Sequence, residues 1–310
     1  MQLLSLNGLS NVYVFGDIHG EFSSFFHFLK QNTYNRENGL THENQEVADE
    51  FKSNNPNASH LIDGFFTSSN HRIRKKRNFN NSLIIIAGDC GIGFHKFKFY
   101  QDLFNKIHQF LIDNNIVICM VRGNHDDPSY FENDLFNLSN IKLIQDYTVI
   151  QTCGKNILCV GGGISIDRVW RKQREHVINK HKPKSSHKKM YWENEGVVYD
   201  FDKMEEIVNS ELKIHYVVSH SSPSFAFPYT KEGLAYWMKI DKDLSKDVDI
   251  ERQNLTKIYE HLQLSNNKLE GWVYGHFHKM WHEIIDNVHF DCLNCELNCR
   301  ELIRYANESK

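Results

Sequence analysis

The chain is expected to fold as an α/β protein with a mixed β-sheet core, and three observations lead there. Short apolar runs recur along its 310 residues, each closed by glycine or serine and a polar cluster. Patterns with the period of an α-helix lie between those runs. One pair of runs is adjacent enough to be joined as a hairpin, which makes the sheet mixed rather than all parallel.

Taken in order, Asn11–Phe15 reads as a strand that ends in Gly16-Asp17. Phe22, Phe25, Phe26 and Leu29 then follow the i, i+3, i+4, i+7 spacing of a buried helix face. From about residue 33 to 81 the chain is rich in Asn, Ser, His and charge, with a weak apolar centre at Leu61–Phe66, and reads as an insertion. Ser82–Ala87 is the second strand, closed by Gly88-Asp89, and Tyr100, Leu103, Phe104 and Ile107 mark the second helix. "IVICMVRGNHD" is a third strand ending in Gly123-Asn124-His125-Asp126. "YTVIQTCGKNILCVGGG" reads as two strands meeting at Gly154-Lys155-Asn156. Residues from about 171 to 189 carry many Lys, Arg and His and read as an exposed basic loop. "IHYVVSHSSP" ends in Ser219-His220, and "GWVYGHFHK" ends in Gly275-His276-Phe277-His278. Between them, Leu255, Ile258, Tyr259 and Leu262 mark another helix. Continuous apolar runs of this length suit strands buried on both faces. "HFDCLNCEL" fits a final strand with Phe290 and Cys292 on one face. No internal repeat and no Pro/Gly/Ser linker divides the chain, so residues 1–310 are expected to form one domain.

Composition narrows the function. Apolar residues make up 40% and charged residues 24%, which is ordinary for a globular protein. The net charge of −3 gives no overall basic field for wrapping nucleic acid, although contact with nucleic acid remains open. No apolar run reaches membrane-span length, and "MQLLSLNGLS" has no secretory signature. The seven cysteines, several inside apolar runs, read as free thiols. These features together lead to an expected cytoplasmic location and no membrane partner. "CLNCELNC" has C-x2-C-x3-C spacing without a fourth cysteine nearby and reads as part of a strand rather than a metal site.

The chemistry lies in the residues that follow the strands: Asp17, His19, Asp89, Asn124, His125, His220, His276 and His278. Sites in open α/β sheets form beyond the carboxyl ends of strands. Oxygen and imidazole donors without thiolate suit Mn, Fe, Zn or Ni. Eight candidates exceed the needs of one ion, whereas two ions about 3.5–4 Å apart would use them.

The blocks "GDIHG", "GDCG", "RGNHD", "SHSSP" and "GHFH", in this order, resemble the calcineurin-like metallophosphoesterase superfamily. The resemblance implies a four-layer αββα sandwich of two mixed β-sheets flanked by helices. It also implies two divalent or trivalent metal ions and a phosphoester hydrolase acting through a metal-bridging hydroxide. By the same resemblance Asp17, His19 and His278 would hold the first ion, Asp89 would bridge, and Asn124, His220 and His276 would hold the second. His125 would assist the leaving group, with Asp126 holding its imidazole. "GGGISIDRVWR" followed by "YWENEG" looks like a bacterial and phage branch of the superfamily, which makes Arg168 and Arg171 candidates for substrate contact. Arg122, before Gly123, is a candidate for a phosphate oxygen or for a structural ion pair. The second block, G-D-C-G-I-G, lacks the Arg of the protein Ser/Thr phosphatases and diadenosine-tetraphosphate hydrolases, which puts protein phosphatase activity in doubt. A phosphate mono- or diester of a small molecule or nucleotide is the expected substrate. The alternatives are a nuclease or phosphodiesterase directed at DNA or nucleotides, and a non-catalytic scaffold of the same fold.

Overall fold

Alternation inside the apolar runs sets the layering. In the computed structural model, Val12 and Val14 face one hydrophobic cluster while Tyr13 and Phe15 face another. Leu83 and Ile85 divide from Ile84 and Ile86 in the same way, as Val218 and Val273 divide from Val217, Trp272 and Tyr274. A strand buried on both faces must lie between two cores. The structure describes residues 1–33, 78–132, 135–136, 138–229, 231–265, 267, 269–295 and 297–304. Most of the expected insertion at about 33–81 therefore lies outside the described residues.

The strands are β1 (Gln2–Ser5), β2 (Asn11–Phe15), β3 (Ser82–Ile86), β4 (Ile116–Met120), β5 (Ile141–Leu143), β6 (Thr148–Thr152), β7 (Lys155–Val160), β8 (Tyr216–Ser219), β9 (Gly271–Tyr274), β10 (Trp281–Ile285), β11 (Val288–Cys292) and β12 (Cys299–Arg304). The helices are α1 (Phe22–Gln31), α2 (Phe97–Asp113), α3 (Arg168–Asn179), α4 (Phe201–Asn209), α5 (Ala235–Ile240) and α6 (Leu244–Leu264). One sheet has the order β12-β2-β3-β4-β5, the other β1-β6-β7-β8-β9-β11-β10. The pairs β2–β3, β3–β4 and β4–β5 are parallel, as are β7–β8, β8–β9 and β9–β11. The antiparallel pairs β10–β11, β12–β2 and β6–β7 make both sheets mixed.

The inner faces of the two sheets share one cluster, from Val12, Leu83 and Val117 to Ile157, Val218 and Val273. Outside the five-stranded sheet, Phe22, Phe25 and Leu29 of α1 and Tyr100, Phe104 and Ile107 of α2 pack on Tyr13, Phe15 and Ile84. Outside the seven-stranded sheet, Met204 and Ile207 of α4 and Leu255, Ile258 and Leu262 of α6 pack on Leu158, Trp272 and Phe290. The expected four-layer αββα sandwich is thus formed, with the helix faces the spacing indicated.

Three details differ from the sequence reading. The β6–β7 turn is made by Cys153 and Gly154, both with positive φ (49° and 68°), so β7 already starts at Lys155. The 171–189 stretch is not loop throughout, because α3 runs Arg168–Asn179. This helix has few apolar positions and buries Arg171 instead, which hides it from a search for hydrophobic period. The "HFDC" strand is not the last: β12 follows and pairs antiparallel with β2.

Candidate metal centre

Parallel pairing brings the carboxyl ends of β2, β3 and β4 to one edge of their sheet, and those of β7, β8 and β9 to one edge of theirs. Residues from both edges meet. Asp17, His19, Asp89 and His278 each offer a donor atom within 4.8 Å of the others. His19 Nε2 lies 2.9 Å from His278 Nε2, and Asp17 Oδ2 lies 3.1 Å from the latter. Asp17 also accepts from the His276 backbone N–H at 3.0 Å, which fastens the β9 loop to the β2 loop.

A second group adjoins the first through Asp89. Asn124 Oδ1 is 2.9 Å from His220 Nε2 and 3.0 Å from His276 Nδ1, while Asp89 Oδ1 is 3.2 Å from His220 Nε2. His220 Nδ1 faces the Ala87 carbonyl oxygen at 2.8 Å, an acceptor, so Nδ1 carries the hydrogen. The lone pair of a neutral His220 then points through Nε2 at two further oxygen acceptors. Acceptors facing one another need a proton or a cation between them, and a divalent metal fits this set of nitrogen and oxygen donors. The first group fits a metal on the same ground.

Close backbone approach makes the site possible. A Cβ on Gly123 would lie 2.1 Å from Asp89 N, and one on Gly275 would lie 2.1 Å from Asp17 Oδ1. Neither glycine has positive φ, so their requirement is space and not turn geometry. His19, Asp89, His276 and His278 themselves adopt positive φ, from 46° to 67°. Such backbone is uncommon for residues with a Cβ and concentrates at sites where the surroundings impose it.

The electrostatics match. Burial opposes ionisation of Asp89, but the His220, His125 and His19 imidazoles outweigh it and hold the carboxyl well below its usual range. Burial likewise opposes charge on His220, yet Asp89 and Asp17 raise its proton affinity. Burial and the neighbouring His220 push His276 well below the usual imidazole range, so it is neutral and able to lend a lone pair.

The model of the calcineurin-like phosphoesterases matches residues 10–280, a span that holds every one of these groups. The chain belongs to the calcineurin-like phosphoesterase family. No protein of curated function matches it. Among solved structures it is similar to a phosphopantetheinyl hydrolase from Mycobacterium tuberculosis, with 12% identity over 94% of this chain and 91% of that one and a TM-score of 0.35. It is also similar to a Staphylococcus aureus protein assigned as a 5'-nucleotidase, solved with alpha-ketoglutarate, with 14% identity over 96% of this chain and 54% of that one and a TM-score of 0.32. Similarity at these levels adds nothing to the family assignment. Among the described residues, no helix is long and apolar enough to cross a membrane.

Within this calcineurin-like phosphoesterase, the remaining candidates separate. His125 reaches the site, with Nε2 3.8 Å from Asp89 Oδ2 and its backbone N–H donating to Asp89 Oδ1 at 2.8 Å. Arg171 joins it: Nη2 is 2.8 Å from His125 Nδ1 and also touches Nε2, while Nε pairs with Asp167 at 2.9 Å. Asp126 does not hold the His125 imidazole. It is fully buried, and its carboxylate accepts the backbone N–H groups of Cys90 (3.1 Å), Ile92 (2.8 Å) and Gly123 (2.8 Å). Adjacent residues on a turn point in different directions, which sequence proximity does not reveal.

Arg122 is structural. It pairs with Asp146 at 2.9 Å and donates to the Glu195 carbonyl at 2.7 Å. Arg168 pairs with Asp241 (2.5 Å) and Asp247 (2.7 Å), so it ties α3 to α5 and α6 and does not face the site.

The sequence reading missed two buried residues, Ser165 and Glu195, that stand directly behind Asn124. Their signal was present: "GGGIS" follows β7, which runs parallel to β8 and so ends at the same edge.

Proposed function

We propose that this chain hydrolyses phosphate mono- or diesters of small molecules or nucleotides with two metal ions drawn from Mn, Fe, Zn or Ni. Asp17, His19 and His278 would hold one ion, Asn124, His220 and His276 the other, and Asp89 both. The observation that carries the reading is the abutment of two donor groups on one carboxylate, Asp89, at the joined edges of the sheets. Paired divalent ions supply charge neutralisation for a phosphoryl group and a water-derived nucleophile at neutral pH.

The chain's own groups supply the rest. Asn124 is a neutral donor, so it adds no charge that would repel a phosphate. Arg171, buried and aimed by Asp167, presents a guanidinium where phosphoryl oxygens would lie. Burial, aided by Arg171, lowers the His125 pKa to about 4, against the pull of Asp89. The imidazole is therefore neutral near pH 7 before a phosphate enters. An anionic phosphoryl group would engage Arg171 and raise the proton affinity of His125, which would then take up a proton from solvent and pass it to the departing oxygen.

The test is hydrolysis of bis-p-nitrophenyl phosphate and of p-nitrophenyl phosphate by protein stripped with chelator and refilled with Mn. Metal-dependent release of nitrophenol is expected. Preference for the diester would favour the phosphodiesterase or nuclease alternative. Two bound metals with no turnover of either ester would favour the scaffold.

A further inference from the structure

We infer that Glu195 and Ser165 are positioning residues that lock the Asn124 amide with its oxygen, not its nitrogen, towards the second metal position. The inference rests on the reading of Asn124 as a ligand, and it deepens that reading.

An asparagine amide has one end that can ligate a metal and one that cannot. The two ends are nearly equal in shape, so packing alone selects between them poorly. Hydrogen bonds must decide. Asn124 Nδ2 donates to Ser165 Oγ at 2.9 Å. Ser165 Oγ in turn donates to Glu195 Oε2 at 2.6 Å, and the Ser165 backbone N–H donates to Glu195 Oε1 at 2.8 Å. All three side chains are buried, at 3%, 1% and 0% exposure for Asn124, Ser165 and Glu195, so water offers no substitute partner.

The direction of the chain follows from hydrogen counting. A serine hydroxyl has one hydrogen. Burial raises the Glu195 carboxyl pKa to about 8, against the pull of the Ser165 hydrogen bonds and Arg171. The count therefore applies to the form ionised above that pH. This form can only accept, so the hydroxyl hydrogen goes to Oε2. Ser165 Oγ then has only lone pairs to offer Asn124 and must meet the NH2 group. The amide oxygen is left facing His220 Nε2 and His276 Nδ1, at 2.9 and 3.0 Å. Rotating the amide by half a turn would set its oxygen against Ser165 lone pairs and its N–H groups against the metal position. Both contacts would be repulsive.

The support behind Glu195 is itself held. The Glu195 carbonyl accepts from Arg122 at 2.7 Å and from Gly163 N–H at 3.0 Å. Gly163 sits so close that a Cβ there would lie 2.9 Å from the His220 ring and 3.2 Å from Asn124 Oδ1. The β7 loop and the "YWENEG" segment thus form a wall against one face of the ligand group. Arg122 acts on the site through this wall.

Glu195→Gln is a sharp probe because its orientation is forced. Its oxygen must stay on the Ser165 N–H, which leaves its NH2 to donate to Ser165 Oγ. The hydroxyl hydrogen is then released towards Asn124, and the preference of the amide is reversed. Asn124→Asp removes the distinction, since both carboxylate ends are oxygen. In that background the freed hydroxyl hydrogen has an acceptor, so Glu195→Gln should no longer harm.

The experiment measures Mn(II) binding by calorimetry and metal analysis at a pH above about 8, where Glu195 is ionised, for the wild type, Glu195→Gln, Asn124→Asp and the double variant, with thermal unfolding as a control. Loss of an outer hydrogen-bond partner typically weakens metal binding about 10- to 100-fold. We expect Glu195→Gln to weaken the second Mn equivalent by that factor and to leave the first equivalent unchanged. In the Asn124→Asp background it should be neutral or favourable. Ser165→Ala, which removes the hydroxyl and keeps Glu195, should also weaken the second site and carries the test if Glu195→Gln does not fold. Two Mn ions bound by Glu195→Gln with wild-type affinity would overturn the inference alone, as would an equal loss in both backgrounds. A wild-type protein holding fewer than two Mn ions would overturn the two-metal reading, and this inference with it.

Discussion

At the scale of single residues, the site is a set of polar groups that are costly to bury unless something positive lies among them. Asp89 carries most of this burden, since it faces His220, His125 and His19 at once. Asp89→Asn should lose metal and activity together, by metal analysis and ester hydrolysis; full activity with two metals retained would remove it from the bridging role. His125→Ala should keep both metals and slow turnover, most for esters with poor leaving groups. If metal were lost instead, the imidazole would be a ligand and not an acid. Asp126 illustrates the difference between neighbouring residues. Its two oxygens satisfy three buried N–H groups, and an asparagine has one oxygen to offer. Asp126→Asn should therefore lower stability by about 1–3 kcal/mol, the cost of an unsatisfied buried donor, read as a fall in the unfolding midpoint.

At the scale of elements, α3 is the piece the sequence concealed and the site depends on. It delivers Arg171 to His125 and is tied down by Arg168, whose partners are Asp241, just before α6, and Asp247, in its first turn. Of the two arginines of this helix read as substrate contacts, Arg168 is an anchor and Arg171, a turn later, faces the site. Arg168→Ala should leave metal content unchanged and loosen α3. That loosening is readable as faster amide hydrogen exchange over 168–179 and a raised KM through the displaced Arg171. Unchanged exchange would show that α3 is held by other contacts. Strands were easier to read than this helix. A strand between two cores needs apolar residues on both faces, and β3 and β4 supply them without interruption. A helix that covers polar groups has no such requirement. The short edge strands β1 and β10 were illegible for a related reason, since both are largely exposed and no burial pattern marks them; β5, though mostly buried, has only three residues.

At the scale of the whole molecule, the two sheets are joined at the site as well as in the core. Asp17, Asp89 and Asn124 follow strands of one sheet, His220, His276 and His278 strands of the other. On the proposed ligand assignment a bound ion would bridge the sheets and should stabilise the fold as a whole. Mn at 100 times its dissociation constant would add about 2.7 kcal/mol, seen as a raised unfolding midpoint that chelator reverses. Acid should undo this. A hydrogen bond to Asp17 raises the proton affinity of His278, so this proposed ligand takes up a proton early as pH falls. Protons compete with metal for the same nitrogen, so affinity should fall on acidification and return when pH is restored. An affinity that did not change with pH would remove His278 from the ligand set.

The sequence by itself determined the central strand runs, the main helix faces and which polar residues close the strands, because burial on two faces and helical period are local patterns that survive without coordinates. It also placed all the donors of both groups, since each follows an apolar run in chain order. Only the tertiary structure decided what stands behind those donors. Asp126 turned to the backbone, Arg122 and Arg168 found carboxylates elsewhere, and Ser165 with Glu195 came up behind Asn124. The direction of a side chain and the partner of a buried charge depend on segments far apart in sequence, and packing alone brings those together.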